Sequence, residues 1–362
     1  MSSNLALCIC TYKRANSLRV LLDDVTKQTL QPEKLIIVDG DPGSNEVLQI
    51  LDESKLETLC EIVYVASNHG NQTYQRYLGF RVAKSYVNLD YLLFLDDDLR
   101  IHHEDSIRNI IFPLTWEKPV VSSVTGNLIF SSSKINHDEK VTLSDLRGGL
   151  LENNIFAKLL GSKGKVIPGD VSPTGNRVLP ATGQKYANIR WLSGGSIAFR
   201  LSLLDENILS DDIFAMNYLR LGLCEDLVIS RRMLERGDLI FATNATFHHP
   251  SETSPTAYSS DASRFGYALA YSRRWFNDNY RGLHPPTFGD RVSLLKFFIG
   301  SLLVHWFKAL VTINRSRIGF AAGFTKGVIE GLLIKPTAKN LTPNIDWWKD
   351  AEEALRNVVT IH

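Results

Sequence analysis

Residues 91–98 read Tyr91-Leu92-Leu93-Phe94-Leu95-Asp96-Asp97-Asp98, an apolar run that stops at three consecutive carboxylates. A run with no polar alternation reads as a strand buried on both faces, as in a parallel sheet covered by helices. The same pattern recurs upstream. Residues 5–9 lead into Cys10-Thr11-Tyr12, residues 35–38 end at Asp39, and residues 62–65 form a third apolar run. Between these runs the apolar residues take helical spacing over 18–29, 46–59 and 74–86. Short apolar strands alternating with helices predict an α/β domain with a mainly parallel sheet. Open sheets of this kind bind ligands beyond the carboxyl ends of their strands. Thr11, Tyr12, Asp39, Asn68 and Asp96 to Asp98 are therefore the residues to weigh.

The chain has 362 residues, enough for one large or two modest domains. Lys plus Arg is 40 and Asp plus Glu is 39, a formal charge of +1, which argues against a dedicated nucleic-acid binder. Hydrophobic content of 44% and charged content of 22% exclude disordered and collagen-like classes. Cys8, Cys10, Cys60 and Cys224 form no C-x-x-C pair and read as reduced thiols of a cytosolic protein. The N-terminal stretch has neither a basic n-region nor a separate apolar h-region, so no signal peptide is expected.

Residues 125–190 change character. They are rich in Gly, Ser, Lys and Asn, and residues 161–165 and 168–183 read as loops of the kind that serve as lids or binding segments. Order returns at Arg190-Trp191-Leu192-Ser193-Gly194-Gly195, and 225–235 reads as a helix with a basic last turn and a glycine stop at Gly237. Residues 292–313 are apolar but interrupted by Lys296, His305 and Lys308. A central lysine costs about 3 kcal/mol on insertion. A buried helix and an interfacial helix thus suit this stretch better than a spanning one. Arg291, Arg315, Arg317 and Lys326 flank it, as anionic headgroups would favour.

Four small groups of residues carry candidate chemistry. Three adjacent carboxylates at 96–98 call for a counter-charge, and a hard divalent cation such as Mg2+ or Mn2+ prefers oxygen ligands. Alternatively they form a solvated acidic turn. Glu225-Asp226 opens a helix, where acidic residues suit the macrodipole. A carboxylate there could also serve as general base. In Phe247-His248-His249-Pro250 an imidazole could join such a cation. Gly194 and Gly195 permit close backbone approach, and the nearby Trp191 offers a flat face to a sugar ring.

Taken in order, Thr11-Tyr12-Lys13-Arg14, Ile37-Val38-Asp39-Gly40, Asn68-x-Gly70 with Arg76-x-x-Gly79, Leu95-Asp96-Asp97-Asp98, Gly194-Gly195 and Glu225-Asp226 resemble glycosyltransferase family 2. The resemblance covers about residues 5–250. It implies a GT-A, Rossmann-like nucleotide-sugar-binding sheet and inverting transfer from a nucleoside-diphosphate sugar. It divides the chain into a catalytic domain at 1–250, with a nucleotide half at 1–120 and an acceptor half at 121–250. A helical C-terminal extension follows at 251–362. Thr11, Arg14 and Asp39 would line the base and ribose, and Asn68 and Arg76 would support the nucleotide end. Asp96 and Asp98 would hold Mn2+ or Mg2+ against the diphosphate, with His248 as a further ligand and His249 less favoured. Asp97 would face the ribose or donor sugar. Asp226 would be the base, with Glu225, Trp191, Gly194 and Gly195 at the acceptor. Arg273-Arg274-Trp275 and Arg317-Ile318-Gly319-x-x-x-Gly323 look like the tail of membrane-associated members such as rhamnosyl- and galactofuranosyltransferases of cell-surface polysaccharide assembly.

The chain departs from the family at Arg76-Tyr77, where Arg-Asn is usual, and after the second strand at 39–44. Two other classes stay in view. A metal-dependent nucleotidyltransferase usually has a glycine-rich phosphate loop after the first strand, where this chain has Thr11-Tyr12-Lys13-Arg14. A non-catalytic nucleotide- or sugar-binding component of an assembly complex would have no use for uncompensated carboxylates. A dinucleotide dehydrogenase is excluded, since no G-x-G-x-x-G follows the first strand. The expected partners are the sugar donor and a saccharide or lipid-linked acceptor, with no nucleic acid. The expected location is cytoplasmic, at the inner face of the cell membrane if residues 292–313 are interfacial. Uridine, thymidine and guanosine diphosphate sugars all satisfy the motifs.

Overall fold

The computed structural model describes residues 4–54, 56–130, 167–181, 183–249 and 261–361. The 161–165 stretch read as a loop lies outside them. The first half alternates as its sequence predicts: β1 (Leu5–Thr11), α1 (Ala15–Val25), β2 (Lys34–Asp39), α2 (Glu46–Asp52), β3 (Glu61–Ala66), α3 (Gln72–Ser85), β4 (Tyr91–Asp96) and α4 (Ser106–Ile111). There follow β5 (Val121–Phe130), β6 (Tyr186–Ile189), β7 (Ser196–Arg200), α5 (Asp211–Tyr218), α6 (Glu225–Met233) and β8 (Asp238–His249). The C-terminal part holds α7 (Ala262–Asp278), α8 (Phe288–Thr312), α9 (Arg315–Leu333), α10 (Ala338–Leu341), α11 (Trp347–Leu355) and β9 (Val359–Ile361).

Among the described residues, nine strands form one sheet in the order β6-β8-β5-β7-β4-β1-β2-β3-β9. The run β4-β1-β2-β3 is parallel throughout, with Thr11 level with Asp39 and Cys10 level with Asp96. That register brings the carboxyl ends of three strands to one line. Strand alternation splits β1 between two cores. Ala6, Cys8 and Cys10 face the α3 side, while Leu5, Leu7 and Ile9 face the α1 and α4 side. All four cysteines are free and buried.

β5 runs into the segment read as irregular, and β6 lies within it. β5 carries Ser122, Ser123 and Thr125 fully buried, and these small polar residues hide a central strand from a reading based on apolar runs. β6 is short and alternates buried with exposed residues at the sheet edge. Residues 338–361, assigned by sequence to the C-terminal extension, return to the first half. β9 pairs antiparallel with β3, and Trp347 of α11 joins the core that contains Tyr74 and Tyr77 of α3.

α8 is long and apolar enough, by length and composition, to cross a membrane, and 44% of its most apolar window is buried. It is two-faced. Leu294, Phe297 and Phe298 are buried in one cluster with Phe320 and Phe324 of α9, and Val304 is buried as well. Leu295, Ile299, Leu303, Phe307 and Leu310 lie on an exposed stripe. α9 meets α7 closely through glycines: a Cβ on Gly323 would lie 1.8 Å from the Ser263 carbonyl oxygen.

Candidate active site

α3 is the element that gathers the strand ends. Gly79 sits against β1, where a Cβ would come within 2.2 Å of Cys8 Sγ. With no side chain in the way, α3 lies flat on the sheet and presents Gln72, Gln75 and Arg76 to the strand termini. Gln75 Nε2 donates to the carbonyls of Thr11 and Val38, each at 2.8 Å, which ties β1 to β2. Gln72 Nε2 and Arg76 Nη2 both donate to Asp96 Oδ1, at 2.5 and 2.7 Å.

Arg76 is the hub of the arrangement. Its Nη2 also donates to the Gly194 carbonyl at 2.6 Å, and the Asp96 amide donates to the Gly195 carbonyl at 3.0 Å. A Cβ on Gly194 would lie 3.8 Å from Asp226 Cβ. The acidic strand end, the double glycine and the acidic helix start are therefore neighbours, as the order of their motifs implies. Arg76, expected at the nucleotide end of the pocket, is instead committed to Asp96 and Gly194.

The counter-charge that sequence reasoning assigned to a cation is in large part built in. Arg14 Nη1 reaches Asp97 Oδ1 at 3.0 Å and Asp98 Oδ2 at 2.6 Å, and Thr11 Oγ1 donates to Asp97 Oδ2 at 2.8 Å. Burial nonetheless pushes Asp97 up to about 7, with Arg14 and Thr11 acting against it. Burial also raises Asp96 and Asp39. Asp39 accepts from the Asp41 amide at 2.9 Å and from Tyr64 Oη at 3.0 Å. Asn68 accepts from Tyr74 Oη and donates to the Asp350 carbonyl, so it fastens α11 beside the strand ends.

The structure sets His249, and not the favoured His248, beside Asp98. The end of β8 pairs with Arg100 just past the acidic run, through Arg100 N to His248 O and His248 N to Arg100 O. Adjacent strand residues point to opposite faces. His249 Nε2 therefore lies 3.4 Å from Asp98 Oδ1, while the His248 ring packs on His102 with centroids 4.3 Å apart. Among the described residues no group of three or more His, Cys, Asp or Glu side chains is arranged as a metal site. Asp98 Oδ1 is buried without a hydrogen-bond partner. An orphaned carboxylate oxygen beside an imidazole suits a divalent cation that completes its shell with water and phosphate oxygens. Asp98 and His249 fit that role better than Asp96, whose Oδ1 is taken.

At the acceptor side, Asp226 is 7% exposed at the start of α6. Its Oδ1 accepts from the Leu227 amide at 2.8 Å and its Oδ2 from Arg177 Nη1 at 3.1 Å. Glu225 is pushed up to about 8, first by burial and then by the adjacent Asp226 charge, and its Oε2 is buried with no hydrogen-bond partner. Trp191 is buried, with its Nε1 donating to the Val178 carbonyl and its ring under the Arg177 guanidinium at 5.7 Å. Arg177, Gln72, Gln75 and Tyr64 escaped the sequence reading. The spacing of 72, 75, 76 and 79 on one helical face could have revealed the α3 pair. Nothing local marks Arg177.

Residues 6–172 match the family model described as glycosyl transferase family 2. That match covers 167 of the 362 residues, just under half of the chain. The O-antigen chain rhamnosyltransferase RfbN of Salmonella typhimurium is 26% identical over 122 residues, which cover 34% of this chain. The match spans 36% of the length of that relative. Among solved structures, the mannosyltransferase PcManGT of Pyrobaculum calidifontis, in complex with GDP-Man and Mn2+, superposes with a TM-score of 0.49 at 12% identity, covering 94% of this chain and 88% of that one. TarS 1–349 of S. aureus superposes at 0.43 with 12% identity, covering 91% of each chain.

Proposed function

We propose that this glycosyltransferase moves a sugar from a nucleoside-diphosphate sugar to a hydroxyl of a saccharide or lipid-linked saccharide acceptor, inverting the anomeric centre in one displacement. The observation that carries the reading is the Arg76 hub, which binds Asp96 and Gly194 and so sets the acidic strand end beside Asp226. In this reading Thr11, Arg14, Asp39 and Asp97 border the nucleotide, and Asn68 positions its loop. Asp226 Oδ2 takes the proton of the attacking hydroxyl, a role worth roughly 10²–10⁴ in rate. Glu225, protonated near neutral pH because of its raised pKa, donates a hydrogen bond to a sugar oxygen. Asp98 and His249 would hold Mn2+ or Mg2+, which when bound neutralises charge on the departing diphosphate. The RfbN similarity favours a deoxyhexose donor and an acceptor of cell-surface polysaccharide assembly.

The C-terminal hairpin supports a membrane-surface location, which we place at the cytoplasmic face. Its exposed stripe on α8 continues on α9 through Ile329, Leu332 and Leu333. From Val292 to Lys339 the chain has seven Lys and Arg against a single acid, Glu330. An apolar stripe with a cationic surround suits an anionic bilayer surface.

Thermal unfolding against UDP, GDP and dTDP and their sugars, with and without Mn2+, tests the donor site. A ligand at about 100 times its Kd adds roughly 2.7 kcal/mol. A rise in Tm for one nucleotide, larger with Mn2+, is expected. No rise with any of them would overturn the donor-site reading.

A further inference from the structure

Arg177 touches both elements that an acceptor needs. Its Nη1 lies 3.1 Å from Asp226 Oδ2, and its guanidinium covers the Trp191 ring at 5.7 Å. The Arg177 side chain is 38% exposed, whereas that of Asp226 is 10% exposed. The base is therefore shielded and the cation above it is open to solvent.

The backbone under Arg177 is braced on several sides. Ser172 N donates to Asn176 O, Val178 N to Asp170 O and Gly169 N to Leu179 O, which makes 169–179 a small closed hairpin. Arg273 Nη1 donates to the Thr174 carbonyl at 2.7 Å, and Asn277 Nδ2 to the Pro173 carbonyl at 3.1 Å, fastening this hairpin to α7. Gly175 has φ +77 and a Cβ there would meet Arg273 Nη1 at 2.3 Å, so the turn itself depends on glycine. With the backbone held in this way, the movable part is the Arg177 side chain. Solvent reaches the Arg177 side of the pair and screens it, so a sugar hydroxyl can displace it.

We propose that Arg177 is a displaceable cap on the acceptor site: it occupies Asp226 Oδ2 and the Trp191 face until an acceptor sugar takes both places, and it thereby withholds the base from water. The proposal rests on Asp226 being the base. The side reaction it suppresses is donor hydrolysis. There, a water oxygen bonds to the anomeric carbon, the anomeric carbon–oxygen bond to the diphosphate breaks, the water proton passes to Asp226, and the nucleoside diphosphate departs. Arg177 is a positioning residue in this scheme, because its effect is exerted on Asp226.

The test is nucleoside diphosphate release from UDP-, GDP- and dTDP-sugars in the absence of any acceptor, using the full chain with Mn2+. Arg177→Met retains length and apolar contact with Trp191 and removes the charge. It is expected to raise kcat for hydrolysis about fivefold or more, with donor KM within twofold of wild type. Arg177→Lys is expected to restore wild-type slowness. Hydrolysis unchanged or slower in Arg177→Met, at a Tm matching wild type, overturns the cap. If Arg177→Met has a lowered Tm, Arg177→Lys decides: wild-type slowness in a stable Lys variant beside faster hydrolysis in Arg177→Met supports a cap held by the positive charge, and hydrolysis as fast in Arg177→Lys as in Arg177→Met, or unchanged in both, overturns it. Absence of release from every donor by wild type and Arg177→Met alike, together with no rise in Tm with any nucleotide, overturns the transferase reading itself, and the cap with it.

Discussion

Replacing Glu225 by Gln should make the protein more stable at alkaline pH and change little at acidic pH. In the unfolded chain this carboxyl titrates near its ordinary 4.5, and in the folded chain at about 8. Between those values the folded state binds a proton that the unfolded state has released, so wild-type stability falls as pH rises from about 4.5 to about 8 and levels off above. The full difference, 8 − 4.5, at about 1.4 kcal/mol per pKa unit, sets a ceiling of about 5 kcal/mol. Only the part of that range between pH 5 and pH 8 is sampled, and Glu225 shares its proton with the adjacent Asp226, so about 2 kcal/mol is the expected gain for Glu225→Gln at pH 8 relative to pH 5. Glu225 Oε2 has no hydrogen-bond partner to lose, which is why the amide is tolerated. Thermal unfolding of both proteins at pH 5, 6.5 and 8 reads the effect as a Tm gap of a few degrees that opens with pH. A gap that stays constant across that range would show that Glu225 titrates normally and would refute the reasoning.

Two further expectations follow from the geometry. His249→Ala should weaken Mn2+-dependent nucleotide binding, whereas His248→Ala should leave it within about twofold, because only His249 faces Asp98; equal effects in a binding titration would contradict the assignment. Wild type should co-sediment with vesicles containing anionic phospholipid, and Lys296→Glu with Lys308→Glu should abolish this; sedimentation unaffected by the pair would remove the electrostatic basis of membrane attachment.

The parallel half of the sheet was legible because its strands are buried on both faces and therefore almost wholly apolar. The same rule failed at β5, where Ser122, Ser123 and Thr125 are buried with their hydroxyls bonded or enclosed, leaving no apolar run to read. The candidate site was legible in part. Thr11 ends β1, Asp97 and Asp98 follow β4, Gly194 precedes β7 and Asp226 lies in the first turn of α6, and these positions are neighbours in the structure. What the sequence could not reveal is pairing between distant side chains. Arg14 and Arg76 supply the counter-charge that the acidic run calls for, 83 and 20 positions away from the residues they meet. The choice between His248 and His249 turns on which face of β8 looks toward Asp98, and that depends on a register set by Arg100.

The central claim is that Asp226 is the base of a glycosyl transfer supported by the acidic strand end. Turnover of a nucleoside-diphosphate sugar by wild type and by Asp226→Asn, alongside nucleotide binding by both, tests it most directly. Release should fall by a factor of about 10² or more in the variant, with nucleotide affinity within about threefold of wild type. Near wild-type turnover by Asp226→Asn would contradict the claim.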